Sequence, residues 1–350
     1  MHKKVLMAFD DPGGGLAVSS LIESLQKEEI DIEIYTGKLS EKFLEKENRS
    51  YNKIESMISR EESEKIIGKV NPDLLITGTG GGNAEQELRN RAFEKNIKSI
   101  VILDFWKDYG RRWLYASYSL SEMKDKVCVM DSLTRDEMVS ENFLTENIKI
   151  TGHPYLDKIF NSFEYVFQQN IIKANQILFL SQPLNIIGLT DYKIHPLKNL
   201  LESLTKAASE RNVVYSLIIK LHPSESMSSE IDHLISQYNS ESVNIKLSDK
   251  LLSAEELISE SELIAGYNTI AMFESRAMNK RTISLKVAPM KDSLLKAMQA
   301  AGIEICEPDQ ISIYESIIKK PDEFKNESKF KGGIENCINV ILSELNLNHN

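Results

Sequence analysis

Ile218-Ile219-Lys220-Leu221-His222-Pro223-Ser224 closes one apolar run, and Leu263-Ile264-Ala265-Gly266-Tyr267-Asn268-Thr269-Ile270-Ala271-Met272-Phe273-Glu274 carries the next. Val214 to Leu221 is apolar and rich in β-branched residues, the pattern of a parallel strand covered on both faces. His222 and Pro223 then fall at that strand's end. Open α/β sheets bind ligands just outside the carboxyl ends of their strands. Asn268 and Thr269 suit a helix N-cap, and Ile270-Ala271-Met272-Phe273 begins an amphipathic turn. A helix start with free N–H groups is a ready anion site. Read together, the two stretches could hold a nucleotide mono- or diphosphate. Read singly, His-Pro is also a plain turn and Asn-Thr a plain cap.

The same alternation runs outward in both directions. Towards the C-terminus, strands read at Gln176–Leu180, Val213–Leu221, Val243–Leu247, Leu263–Ala265 and Arg281–Leu285, with helices between them. Ser181-Gln182-Pro183-Leu184 stands where a first phosphate loop belongs. A final amphipathic helix spans about Gly333 to Leu345, and Asn346 to Asn350 reads as a disordered tail. Towards the N-terminus, Val5–Phe9 is a strand, and Asp10-Asp11-Pro12-Gly13-Gly14-Gly15 reads as a glycine-rich turn into a helix from Leu16 to Glu28. Ile30–Thr36 is the next strand, followed by a polar, mostly helical stretch from Lys38 to Arg60. Leu74–Thr77 leads into a second glycine-rich turn, Gly78 to Asn83, and a helix from Ala84 to Lys95. Ser99–Leu103, Lys126–Met130 and Asn147–Thr151 complete the half. Asn161 to Lys173 reads as the linker. The pattern implies two doubly wound, largely parallel sheets. The expected division is 1–165, 166–330 and a returning helix with its tail at 331–350.

The 350 residues carry a formal net charge of -10, with 41% hydrophobic and 27% charged residues. That balance argues against general nucleic-acid binding and against a polybasic membrane anchor, while leaving room for a local anion site. Cys128, Cys306 and Cys337 lack metal-ligand spacing, and a reduced cytoplasmic setting is the simplest reading. The apolar start, Val5 to Phe9, is too short for a signal peptide, and no apolar run approaches a membrane span. Neither glycine loop is a dinucleotide fingerprint or a Walker A loop, so dehydrogenase and P-loop readings are poor.

Asp104 ends an apolar strand beside Phe105 and Trp106, where burial would raise its pKa towards that of a general base. A salt bridge to Arg111 or Arg112 is the competing reading, and Asp10 and Asp11 are rival bases on the same argument. Glu274 reads either as a hydroxyl-binding residue or as a helix-surface acid.

These residues carry a resemblance. Two Rossmann-like halves resemble the GT-B superfamily of nucleotide-sugar glycosyltransferases, which also includes UDP-GlcNAc 2-epimerases. Ile150-Thr151-Gly152-His153-Pro154-Tyr155-Leu156-Asp157 is similar to the junction of the epimerases and of many GT-B enzymes. Leu178 to Leu184 and Lys220-Leu221-His222-Pro223 look like segments of the bacterial sialyltransferase and polysialyltransferase families, with Tyr267-Asn268-Thr269 at the Ser/Thr-rich motif. Their paired-acid motif falls at Asp104, with Phe105 and Trp106 in place of the second acid and the glycine. The epimerase likeness rests on Glu274.

The resemblance implies an α/β, GT-B-like architecture: two facing Rossmann-like domains with a cleft, the first on the acceptor side and the second holding the donor. It implies metal-independent transfer from a CMP- or UDP-linked sugar to a glycan, lipid-linked or protein acceptor in bacterial surface polysaccharide (capsule) or glycoconjugate synthesis, with no cofactor. Asp104, His222, Asp10 and Asp11 would be catalytic. Gln182, Lys220, His222, Pro223, Tyr267, Asn268, Thr269 and Glu274 would bind the nucleotide sugar. Gly13, Gly14, Gly15, Gly80, Gly81, Trp106 and Arg111 would face the acceptor or sugar. A nucleotide-sugar epimerase or hydrolase, or a silent nucleotide-binding partner protein, stays open. So do peripheral attachment at the inner membrane face and a homodimer.

Overall fold

The computed structural model describes residues 3–166, 172–183, 196–222, 225–249, 252–287, 290–319 and 329–347. The chain divides into two compact units, 1–158 with 330–350, and 159–329.

The first unit holds β1 (Lys4–Phe9), β2 (Asp31–Thr36), β3 (Asn52–Lys53), β4 (Leu74–Thr77), β5 (Lys98–Ile102), β6 (Lys126–Val129) and β7 (Ile148–Ile150). They form a 7-stranded sheet in the order β3-β2-β1-β4-β5-β6-β7, with every pair parallel. Side chains alternate across a strand, so β1 feeds two cores. Val5, Met7 and Phe9 pack with Val18, Leu21, Leu25 and the C-terminal residues Cys337, Ile338 and Ile341. Leu6 and Ala8 pack with Ile67, Leu75 and Leu88 on the other face. Each such buried aliphatic side chain stabilises by about 1.5–3 kcal/mol.

The second unit holds β8 (Lys173–Leu180), β9 (Tyr215–Lys220), β10 (Val243–Leu247), β11 (Ser261–Gly266), β12 (Arg281–Leu285) and β13 (Glu304–Cys306). Its 6-stranded parallel sheet runs β10-β9-β8-β11-β12-β13. Phe179, Leu217, Ile219 and Ile283 pack with Leu197, Leu200 and Leu204 of the helix Pro196–Arg211.

Several local expectations change. The first glycines are helical: Asp11 caps a helix Pro12–Ser19, its side chain accepting from Gly14 N–H at 2.7 Å, with Pro12 at the first position. A second helix, Ile22–Lys27, follows. Only Glu41–Lys46 is helical in the stretch before Arg60, where the short edge strand β3 also lies. The expected linker is partly helical, since Pro154–Val166 is one helix. β9 alternates buried and half-buried residues rather than burying both faces. In the expected tail, Leu347 packs against the first core, and 348–350 lie outside the described residues. Among the described residues, no helix is long and apolar enough to cross a membrane.

The Gly152-His153-Pro154 turn has a structural task. Gly333 lies so close to it that an added Cβ would sit 2.9–3.1 Å from His153 backbone atoms. Asp157 accepts from the N–H groups of Gly332 at 3.1 Å and Ile334 at 2.9 Å, and Asn336 Nδ2 donates to Thr151 O at 3.0 Å. These bonds seat the start of the C-terminal helix Gly333–Glu344 on the end of β7.

Candidate functional site

In each sheet the strand order reverses once beside the first strand, at β1/β4 and at β8/β11. Such switch points open a crevice at the carboxyl ends of the strands. Most of the residues named from the sequence stand on the loops that leave these strands.

In the first unit, Asp10 and Asp11 follow β1, Gly78 to Gly80 follow β4, and Asp104 follows β5 by two residues. Asp10 is buried, and its carboxylate accepts from Ser56 Oγ at 2.6 Å. Ser40 Oγ donates to the carbonyls of Asp10 at 3.0 Å and Asp11 at 2.7 Å, fixing the turn. Asp104 Oδ1 is paired with Arg112 Nη1 at 2.5 Å and accepts from Thr79 Oγ1 at 3.3 Å; Arg112 also donates to Thr79 Oγ1. The salt-bridge reading of Asp104 is therefore the structural one, with Arg112 as partner, while Arg111 is exposed. Asp104 fills the space beside Gly13, where a Cβ would collide with its carboxylate. His153 Nε2 lies 3.0 Å from the Asp104 carbonyl, and burial lowers its pKa, so the ring is neutral and donates from Nε2.

Asp11 differs from its neighbours. It is partly exposed, and burial, then the nearby Asp104 charge, push its carboxyl up from 3.8 to about 6. A carboxyl titrating near neutrality beside an accessible helix start is suited to accept a proton. Glu85, one residue into the helix Ala84–Glu94, is fully enclosed beneath this cluster. Its Oε1 accepts from Asp10 N–H at 2.9 Å and Gly80 N–H at 3.1 Å. Arg89, also buried, donates to Thr77 Oγ1 at 2.8 Å, Gly78 O at 3.1 Å and Gln86 Oε1 at 2.6 Å.

The remaining acceptor-side expectations separate. Gly14 and Gly15 are buried in the helix start. An added Cβ at Gly80 would sit 2.6 Å from Glu85 Oε1, whereas Gly81 faces open space. Trp106 is buried, and its indole donates to Asp131 Oδ2 at 2.6 Å, so it braces the cap of the next helix rather than lining a crevice.

In the second unit, the loops after β8, β9 and β11 meet at the switch point. Gln182 Oε1 accepts from Asn268 N–H at 3.3 Å, tying two of them. His222 is exposed; its N–H donates to Glu225 Oε2 at 2.9 Å, and Ser181 Oγ donates to Glu225 Oε1 at 3.0 Å. Lys220 Nζ donates to Leu252 O at 2.7 Å, and burial lowers its pKa. Thr269, not Asn268, is the N-cap of the helix Ile270–Ala277, with no side-chain capping bond; its hydroxyl is buried at the helix mouth. Tyr267 is buried edge-on to Phe179 at 5.6 Å, which puts its ring in the sheet core. Glu274 is buried rather than on the helix surface. Pro223 lies outside the described residues.

Sequence reasoning missed Ser40, Ser56, Glu85 and Arg89 as members of the first cluster. Arg112, eight residues beyond Asp104, was named as a possible partner of that residue, and it is the partner found.

The fold and the family resemblance can be compared with known proteins. A family model described as alpha-2,8-polysialyltransferase matches residues 107–273, a span that includes Lys220, His222, Asn268 and Thr269. No curated protein matches. Among solved structures, the chain is similar to UDP-GlcNAc 2-epimerase from Methanocaldococcus jannaschii, with 14% identity and a TM-score of 0.72 over 97% of this chain and 99% of that one. UDP-GlcNAc 2-epimerase from Neisseria meningitidis bound to UDP-GlcNAc gives 16% and 0.67 over 99% and 100%. MurG of Acinetobacter baumannii gives 12% and 0.59 over 97% and 99%. Identities this low speak to the fold alone, and the fold is that of GT-B proteins; the family match over residues 107–273 supports a glycosyltransferase.

Proposed function

We propose that the protein transfers a sialic-acid-type sugar from a CMP-linked donor to a hydroxyl of a glycan acceptor, without a metal. The polysialyltransferase match over the His222 and Thr269 loops carries this reading. The acceptor hydroxyl gives its proton to Asp11 as its oxygen bonds the anomeric carbon. The bond from that carbon to the nucleotide phosphate breaks, and the phosphate leaves with the electron pair. The growing negative charge is met by the His222 imidazole and by the free N–H groups at the start of Ile270–Ala277. Asp104 was the base expected from the sequence. Its ion pair with Arg112, close beside Gly13, favours a supporting role at that turn instead. Gln182 and Asn268 shape the donor loop, and Glu274 supports its helix from within. The reaction belongs on the cytoplasmic side, where nucleotide sugars are made.

A nucleotide-sugar epimerase or hydrolase is the second reading, favoured by the near-complete overlap with two epimerases. A thermal-shift series with CMP, UMP, CDP, UDP and GDP on the full chain separates them. A ligand that binds only the folded state stabilises by about 2.7 kcal/mol at a hundredfold excess over its Kd. A selective CMP shift, followed by CMP release that requires a glycan, is the expected result. A UDP shift with donor consumed in the absence of acceptor would reject transfer in favour of the epimerase.

A further inference from the structure

Glu85 is the buried acid that the transfer scheme leaves without a task. It is 4% exposed at the floor of the first switch point. One oxygen, Oε1, receives both available donors, the backbone N–H groups of Asp10 and Gly80. The other, Oε2, is buried and has no hydrogen-bond partner among the described residues. Arg89 lies one helical turn on, the usual place for a compensating cation. It turns instead to Thr77, Gly78 and Gln86, and among the described residues no ion pair joins it to Glu85. The other charged groups facing the site are acids, Asp10 and Asp11 from the loop after β1, with Asp104 and its partner Arg112 beyond Asp11. The loop after β4 contributes no charge.

A buried carboxylate with one oxygen bare and no paired cation is far costlier to hold than the neutral carboxylic acid. Burial, and then the Asp11 charge, push the Glu85 carboxyl up from 4.5 to about 8, against a smaller downward pull from the Arg89 charge. We propose that Glu85 is a positioning residue that works as an uncharged carboxylic acid, clamping the Asp10–Asp11 turn to the Gly80 loop while leaving the negative charge of the pocket to Asp11 and Asp104. The clamp sets where Asp11 stands relative to the acceptor, so its catalytic side rests on the transfer reading above; its protonation state does not.

The sign of the pH dependence follows. The folded-state pKa of Glu85 lies above its unfolded value. Its contribution to stability is complete below pH 4.5 and is lost as pH rises through about 8. Glu85→Gln keeps an oxygen for the two N–H groups and cannot ionise.

The test compares the wild-type chain with Glu85→Gln between roughly pH 4 and pH 9, a window that brackets the shift from 4.5 to about 8. The Tm of the variant relative to wild type should climb steadily with pH. The infrared band of a protonated carboxyl present in wild type at neutral pH should vanish in the variant. With donor and glycan, the alkaline fall in kcat should flatten in the variant while KM for the donor does not move. A Tm difference that is flat or falls with pH, an unchanged infrared spectrum, or failure of Glu85→Gln to fold would overturn the proposal. If no donor is turned over, the transfer reading fails, and the Tm and infrared comparisons still decide Glu85.

Discussion

The two switch points are built from opposite materials. The first gathers Asp10, Asp11, Glu85, Arg89, Asp104 and Arg112 around three strand ends, nearly all buried or half-buried. The second presents an exposed histidine, an amide side chain, a threonine hydroxyl and a helix start. Low dielectric magnifies charge interactions and moves pKa values, so a packed set of acids suits proton transfer. Backbone N–H groups at a helix start meet an anion without titrating, which suits a leaving phosphate. One topology thus supplies two crevices lined with different chemistry.

The largest test of that division is Asp11→Asn, which should lower kcat roughly 10²–10⁴-fold, the range for losing a general base. In the wild type, kcat should fall as pH drops below about 6, because Asp11 must be ionised to accept a proton. The same raised pKa means that its contribution to stability is present below 3.8 and lost as pH rises through about 6. Steady-state rates across pH check both; an acid limb that survives in Asp11→Asn would move the base elsewhere. Next comes His222→Ala, with kcat down roughly 10²–10³-fold by analogy with losing one charge-stabilising donor. Its melting curve should match wild type because the residue is exposed. A normal rate would separate the second crevice from the leaving group.

Arg112→Gln comes third. Both partners of the Asp104 pair are more than four-fifths buried. Leaving that carboxylate uncompensated should destabilise the first unit by about 3 kcal/mol. Urea unfolding measures this, and Asp104→Asn in the same chain should recover most of it. The smallest effect is expected from Gly13→Ala, where the new Cβ meets the Asp104 carboxylate. A flexible side chain yields, so about 1 kcal/mol is expected. The clearer readout there is a fall in kcat of about tenfold from the displaced acid.

The strand pattern was legible because burial writes itself into apolar runs. β1, β4, β8, β10 and β12 stand within a residue or a few of their expected places. The edge strands β3 and β13 were not, since two or three residues show no period. Asp104, Asp10 and Asp11 were found because a polar residue after an apolar run marks a strand end. Glu85 was not, for a physical reason. The helix Ala84–Glu94 buries Glu85, Gln86, Arg89, Asn90 and Arg91, so its inward face reads as polar as its outward one. Ser40 and Ser56 act through bonds to Asp10 that span 30 and 46 residues, which no local pattern reveals. Tyr267 misled by proximity: it adjoins the donor loop in sequence, but strand alternation turns its ring inward.

The seating of the last helix on the Gly152–Asp157 turn bears on how the chain is made. Cys337, Ile338, Ile341 and Leu342 complete the core that begins with Val5 and Met7. A ribosome delivers that core's final wall only after it has translated the whole of 159–329. The segment 159–329, a compact unit of its own, is synthesised before that wall. Domains synthesised in series ordinarily fold from the N-terminus; here the second unit is free to fold first, while the older half waits, open-sided, for its closing helix.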